Sequence, residues 1–258
     1  MLKLNLARNS LRYIIRAYGI KEIFIPYFSC DSLWKAAREE GCYVKFYHVD
    51  MNMRPVCEFP QNSFILYINY FGLCTDKCLE LAGMYQNLIV DNTQAFYCEH
   101  IGLASFNSLR KFFKVQNGSY LYCKKELPDV FECDSLYLEP VFMHENYNHF
   151  VENELILNTE TEIKYMSADV ENYMHNVDFT FAKNIRRSLY EQYGTAFDKF
   201  NLLELSLGDS VPYCYPFKTN DEEFLKKLES GKFILLKLWD NNPKQAQDSD
   251  VIAFPLGD

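Results

Sequence analysis

The chain has 258 residues, enough for one large domain or for a large domain with a smaller one. Its net charge of −9, without a cluster of Lys and Arg, argues against a nucleic-acid partner, because clustered positive charge binds the phosphate backbone. No apolar run in the sequence reaches the ~20 residues of a membrane-spanning helix, so no membrane partner is expected.

Helices and strands are predicted to alternate through the first half of the chain. The spacing of apolar residues predicts helices over 9–19, with a stop at Gly19, over 31–41, with Asp31 as the cap, and over 75–86. Short apolar runs predict strands at 23–25, 42–49, 64–69, 88–90 and 120–123.

This alternation predicts the fold class. Strands that alternate with helices favour parallel pairing, so we expect an α/β fold with a mostly parallel central sheet and helices on both faces. The large domain is predicted over 1–165. Ligands of such sheets bind beyond the carboxyl ends of the strands, which directs attention to 26–30, 69–72 and 91–94.

The second half of the chain has a different character. Residues 126–165 are polar and are predicted to be irregular. Residues 167–200 are predicted as one or two long helices, with Arg186 and Arg187 facing solvent. A further helix at 221–228 and apolar runs at 213–217, 233–238 and 251–256 predict a small C-terminal α+β domain over 166–258.

Nine cysteines are scattered along the chain, and Cys74 and Cys78 are the closest pair. Four residues apart on a predicted helix, they supply half of a metal site, but no second close pair or neighbouring His completes it. We interpret the cysteines as free thiols in a reducing cytoplasm and expect no metal. Arg8 and Arg12 interrupt the apolar N-terminus, which is unlike a secretory signal peptide, so a cytoplasmic location is expected.

A carboxylate directly follows the predicted strand 88–90. Asp91, in the segment Asp91-Asn92-Thr93-Gln94, acts either as a helix cap or as the partner of a cationic ring nitrogen. The second role suits pyridoxal phosphate (PLP), because a protonated pyridine ring is a strong electron sink. The residues alone leave both interpretations open.

A lysine segment follows, from Ser105 through Ser108 to Lys111, with Gly118 beyond it. A lysine that binds an aldehyde cofactor must lose its proton, which nearby positive charge promotes, and Arg110 can supply that charge. Two alternatives stay open: residues 110–114 form a basic surface loop, or Lys114 is the reactive residue.

Two further segments carry weaker signals. The start of the first helix, with Arg8 and Asn9, offers backbone N–H groups and the positive end of the helix dipole, which suit a phosphate. The aromatic turn 69–72 either lines a pocket or ends a strand. The glycine-rich loops of dinucleotide-binding and P-loop proteins are missing from the sequence.

Taken in order, these segments resemble the DegT/DnrJ/EryC1/StrS family of sugar aminotransferases. Residues 91–95 are similar to the family's D-x-x-Q-A segment, residues 108–111 with Gly118 to its lysine segment, and residues 8–11 to its phosphate-binding helix start. The resemblance implies a shortened member with the fold-type-I fold of PLP-dependent transferases.

The resemblance also implies roles for particular residues. Lys111 is expected to carry PLP and to move the reacting proton, Asp91 to meet the ring nitrogen, and Gln94 to lie near the ring hydroxyl. The remaining cofactor-binding residues implied are Arg8, Asn9, Ser105 and Ser108.

The implied activity is that of a PLP-dependent aminotransferase acting on a small-molecule amino donor and a nucleotide-linked oxo-sugar, in surface-polysaccharide or amino-sugar biosynthesis. A homodimer is implied, because sites in this family usually form between two subunits. Retention of Lys111 favours amino transfer over the family's dehydratases, which have His there. The alternatives are a degenerate member with a binding or regulatory role, and a non-PLP α/β enzyme such as a glycosyltransferase.

Overall fold

The computed structural model of the chain describes residues 1–231, 233–239 and 251–257. Its central feature is a seven-stranded sheet with the strand order β1-β7-β6-β5-β4-β2-β3. The strands are β1 (Leu2–Leu4), β2 (Glu22–Pro26), β3 (Tyr43–Tyr47), β4 (Phe64–Ile68), β5 (Leu88–Asn92), β6 (Ala104–Asn107) and β7 (Ser119–Cys123). Strands β2 to β6 are mutually parallel, and β7 is antiparallel to both of its neighbours. The predicted, mostly parallel sheet is confirmed.

The first three helices each follow a strand, as the predicted alternation requires, and the next three follow one another along the chain. The helices are α1 (Ala7–Tyr18), α2 (Asp31–Glu39), α3 (Thr75–Met84), α4 (Tyr147–Leu157), α5 (Ala168–His175), α6 (Phe179–Phe197) and α7 (Glu222–Ser230). Gly19 ends α1 in the left-handed conformation at φ 63°, as its sequence position predicts. The predicted cap of α2 was wrong: Cys30 precedes the helix, and the carboxylate of Asp31 pairs with Lys35 at 2.6 Å.

The core lies against the middle strands of the sheet. Ile65 and Leu66 are neighbours in β4, and both are fully buried. Because successive strand residues point to opposite faces, both faces of the sheet must be covered. Leu11 and Ile14 of α1 are also fully buried, as expected for the apolar face of a packed helix.

Some elements differ from the sequence-based expectation. The short strands β1 and β6 were not predicted, and α4 lies within the stretch 126–165 that was predicted to be irregular. Arg186 was predicted to face solvent but is buried, because it donates hydrogen bonds to the carbonyl oxygens of Tyr213 (3.1 Å) and Phe112 (3.4 Å).

The C-terminal part contains a second, antiparallel sheet with the order β8-β10-β9. Its strands are β8 (Cys214–Phe217), β9 (Leu236–Lys237) and β10 (Ile252–Pro255). With α6 and α7 they form the expected small α+β unit, although its predicted range 166–258 includes residues 232, 240–250 and 258, which lie outside the described residues. The boundary at 165 stays a prediction. Across the described ranges, the helices are all too short or too polar to cross a membrane.

Candidate active site

A cavity of about 450 Å³ opens at the carboxyl ends of the parallel strands. Cys30 follows β2, Asp91 and Gln94 lie at the end of β5, and Lys111 follows β6; all four side chains line this cavity. Their convergence follows from the parallel sheet, since neighbouring parallel strands end at the same edge. The carboxyl edge of the sheet, where the sequence predicted a ligand, therefore contains a cavity.

Lys111 ends a short turn, Leu109–Lys111, that follows β6. The turn is anchored because Leu109 is fully buried and its backbone N–H donates to the carbonyl of Gly118 at 3.0 Å. The Nζ of Lys111 donates to the Oγ1 of Thr93 at 3.2 Å and lies 5.6 Å from the ring centre of Tyr213. The amine is thus held inside the cavity.

Asp91 provides a buried carboxylate beside this amine. Its side chain is 2% exposed, and its Oδ1 accepts the backbone N–H of Thr93 at 2.8 Å. Burial raises the pKa of Asp91, while the positive charge of Lys111 and the hydrogen bonds from Thr93 lower it, with a net upward shift. A carboxylate in such a setting favours a cationic partner, which would stabilise its charged form.

Gln94 has one amide atom bound and one without a partner. Its Oε1 accepts the backbone N–H of Phe71 at 2.7 Å, which fixes the orientation of the side chain. Its Nε2 is buried and, among the described residues, has no hydrogen-bond partner. Because a buried donor without a partner costs free energy, this amide suits a ligand that brings an acceptor into the cavity.

Two thiols, Cys30 and Cys214, form part of the cavity wall. Burial raises the pKa of both thiols, against the opposing effect of the positive charge on Lys111. Both cysteines are therefore neutral at physiological pH and act as small apolar wall residues.

Three further charged side chains, those of Arg8, Arg110 and Glu154, line the cavity. Arg8, in the first turn of α1, lies 3.1 Å from the carboxylate of Glu154, and Arg110 donates to the same carboxylate. Burial alone would raise the pKa of Glu154, but the two guanidinium groups outweigh it and lower the pKa to about 2. Ser108 and Gly118 also line the cavity, as do Leu6 and Ala7 at the start of α1.

Two of the residues expected at the cofactor lie elsewhere. Asn9 turns away from the cavity and donates to the carbonyl of Glu162 at 2.7 Å, because successive residues of a helix point about 100° apart. Ser105 lies within β6, where its hydroxyl is 2.9 Å from the Nδ1 of His100. Neither residue lines the cavity, so we exclude both from the candidate site.

The fold also brings into the cavity residues that the sequence did not indicate. Thr93 lies inside the predicted segment 91–94 but was given no role there. Glu154 and Tyr213 come from distant parts of the chain and carry no motif. Cys74 and Cys78, the one cysteine pair with suggestive spacing, are buried in the core away from this cavity.

No family model and no curated protein matches this sequence. Solved structures do match. An aminotransferase of the DegT DnrJ EryC1 StrS type from Brucella abortus superimposes with a TM-score of 0.61 at 12% identity, over 99% of this chain and 80% of that one. The aminotransferase TlmJ from Streptoalloteichus hindustanus superimposes with a TM-score of 0.65 at 13% sequence identity, over 99% of this chain and 80% of that one.

The chain has the fold of the DegT DnrJ EryC1 StrS aminotransferases. The E. coli GDP-4-keto-6-deoxy-D-mannose-3-dehydratase with bound hydrated PLP has this fold too, with a TM-score of 0.61 at 14% identity over 99% of this chain and 81% of that one. The expected fold-type-I architecture is confirmed. Since an aminotransferase and a dehydratase share the fold, the reaction must be argued from the side chains of the cavity.

Proposed function

We propose that this chain is a PLP-dependent aminotransferase. The observation that carries the proposal is the arrangement of three side chains around one cavity: the amine of Lys111, the buried carboxylate of Asp91 and the amide of Gln94, whose Nε2 has no hydrogen-bond partner within the described part of the chain. Lys111 matches the aldehyde of PLP, Asp91 matches its ring nitrogen, and Gln94 matches its ring hydroxyl. Ser108, Arg8 and the start of α1 fit the phosphate, because they offer a hydroxyl, a guanidinium and helix N–H groups.

PLP, when bound, supplies an electron sink that stabilises negative charge on the substrate carbon. Asp91 favours the protonated ring nitrogen through its opposite charge. Lys111 would hold the aldehyde of the cofactor, and its Nζ, once free, would accept and return the proton at the substrate carbon. Thr93 holds the Nζ in place for this transfer, since its hydroxyl lies 3.2 Å away.

We further propose that the substrates are a small-molecule amino donor and a nucleotide-linked oxo-sugar, and that the product serves surface-polysaccharide or amino-sugar biosynthesis. Support comes from the two aminotransferases that share the fold and from the motif resemblance. The lysine at position 111 favours amino transfer over dehydration, because the dehydratases of the family have His there.

A cytoplasmic homodimer completes the proposal. All nine cysteines are free, and Cys57 and Cys133 are exposed, which suits a reducing compartment. The dimer rests on the family resemblance alone. Light scattering on the eluting peak of a gel-filtration column measures the mass directly and distinguishes 30.4 kDa from twice that value.

The decisive experiment for the activity is the first half-reaction. Purified protein is loaded with PLP and mixed with glutamate, and the absorbance of the bound cofactor is followed as it converts to its amine form. We expect conversion that regenerates with an added oxo-acid. Bound PLP that no amino donor converts would instead favour a degenerate member with a binding or regulatory role.

A further inference from the structure

Glu154 of α4 lies between two arginines in the wall of the cavity. One carboxylate oxygen lies 3.1 Å from the Nη2 of Arg8, and the other accepts a hydrogen bond from Arg110. Asn158, just beyond the end of α4, also accepts a hydrogen bond from Arg8. The last turn of α4 is therefore bound to the start of α1 and to the turn Leu109–Lys111.

These ion pairs are largely shielded from water. The side chains are 11% exposed for Arg8, 17% for Arg110 and 27% for Glu154. Charges in such surroundings interact more strongly than charges on an open surface. The strongest anion-binding groups on this side of the cavity are thus engaged by a carboxylate of the chain itself.

The rest of α4 is only lightly packed. Of its eleven residues, Asn153 and Leu157 alone are buried. One face of the helix lines the cavity through Tyr147, Val151 and Leu155, yet each of these side chains is at least 36% exposed. A helix with so few buried contacts opens at a low free-energy cost, so its position depends strongly on the ion pairs of Glu154.

A phosphate group competes with Glu154 for these arginines. A phosphomonoester carries about two negative charges at neutral pH. With Glu154 in place, about three negative charges would face the two guanidinium groups, and their N–H donors would be shared between two anions. With Glu154 displaced, two positive charges balance the phosphate, and bidentate hydrogen bonds become possible.

We propose that Glu154 is a latch: its carboxylate holds α4 across the anion-binding end of the cavity, and a phosphate group displaces it from Arg8 and Arg110, so that α4 moves outward. The proposal rests on the proposed function for the natural ligand, the phosphate of PLP. Inorganic phosphate tests it independently of any cofactor chemistry.

The experiment compares Glu154→Gln with a matched control, Glu152→Gln, on the exposed side of the same helix. Both changes remove one negative charge, but only the first loosens the latch. Calorimetric titrations use inorganic phosphate, PLP and pyridoxal, which lacks the phosphate. We expect Glu154→Gln to bind phosphate and PLP about tenfold more tightly, because a larger fraction of the protein is open. Pyridoxal should bind equally to both variants.

Hydrogen exchange on the unmodified protein provides a readout that needs no variant. Saturation with inorganic phosphate should speed amide exchange over residues 147–157, because α4 is released. Slower exchange there, or weaker phosphate binding by Glu154→Gln, would overturn the latch and show that Glu154 instead orients the arginines for the phosphate. Absence of phosphate binding in all forms would overturn it too.

The two proposals fail in distinguishable ways. If PLP forms no bond with Lys111 but phosphate still binds more tightly to Glu154→Gln, the proposed function falls and the latch stands. If PLP binds to Lys111 and is converted by glutamate, while Glu154→Gln leaves phosphate and PLP affinity unchanged, the latch falls and the proposed function stands.

Discussion

The Nζ of Lys111 donates a hydrogen bond to the Oγ1 of Thr93 across 3.2 Å, and the backbone N–H of Thr93 donates to Asp91 at 2.8 Å. One threonine therefore links the basic and the acidic group of the cavity. The link exists because β5 and β6 are parallel neighbours, so the residues that follow each strand meet at one edge. Amine and carboxylate are held in fixed relation before any ligand arrives.

The first prediction concerns Asp91→Asn. The free energy of unfolding should stay the same or rise, because burial disfavours the charged carboxylate and raises its pKa. Conversion of bound PLP by glutamate should slow about 100-fold or more, because the charge that favours the protonated ring nitrogen is lost. Stopped-flow absorbance measures the rate, and Asp76→Asn on the exposed start of α3 is the control. A rate equal to that of the unmodified protein would rule out the role of Asp91.

The second prediction concerns Gln94→Leu. The substitution removes the acceptor of the Phe71 N–H and leaves that donor buried without a partner. The free energy of unfolding should therefore fall by about 1–3 kcal/mol. Urea denaturation measures this loss, and the same substitution at exposed Gln192 should cost less. PLP should also bind more weakly; unchanged PLP affinity in the folded variant would remove Gln94 from the cofactor site.

The third prediction compares two glycines with nearly the same backbone. Gly72 and Gly41 have φ of +74° and +73°, so Ala at either position is strained by roughly 1–2 kcal/mol. At Gly72 an added Cβ would also lie 2.6 Å from the carbonyl oxygen of Gln94, whereas nothing lies within 4 Å at Gly41. Thermal unfolding should show a much larger loss for Gly72→Ala than for Gly41→Ala. Equal losses would contradict the close packing of Gly72 against the backbone of Gln94.

The fourth prediction is a pH dependence. The pKa of Glu154 is lowered from 4.5 to about 2, so its ion pairs stabilise the fold fully above pH 4.5 and are lost as the pH falls towards 2. Glu154→Gln should be less stable than the unmodified protein by ~2 kcal/mol at pH 7, and the difference should shrink between pH 4.5 and 2. Urea denaturation at several pH values tests this. A difference that does not change with pH would contradict the ion pairs.

The residues at strand ends could be predicted from the sequence, because neighbouring parallel strands end at the same edge of a sheet. Asp91 and Gln94 follow the predicted strand 88–90, whereas Lys111 was indicated by the motif resemblance, since β6 was not predicted. The structure brings all three to one cavity. Sequence reasoning failed where the direction of a side chain mattered. Asn9 and Ser105 belong to the right segments, but helix and strand geometry point them away from the cavity.

Helix α4 could not be predicted from the pattern of apolar residues. A helix that buries only two residues has little hydrophobic periodicity, so Glu154 gave no signal. Arg186 was misplaced for a related reason. The groups that make its burial favourable, the carbonyls of Tyr213 and Phe112, are distant in sequence and meet it only in the folded chain.

The central claim is that Lys111 binds the aldehyde of PLP. The most direct measurement is borohydride reduction of the PLP-loaded protein, followed by peptide mass spectrometry, on the unmodified chain and on Lys111→Ala and Lys114→Ala. Lys114 is the matched control, since it is three residues away, 51% exposed and paired with Glu145 outside the cavity. We expect the reduced adduct on Lys111 in the unmodified protein and in Lys114→Ala, and none in Lys111→Ala. An adduct that persists in Lys111→Ala, or appears on Lys114 alone, would contradict the assignment.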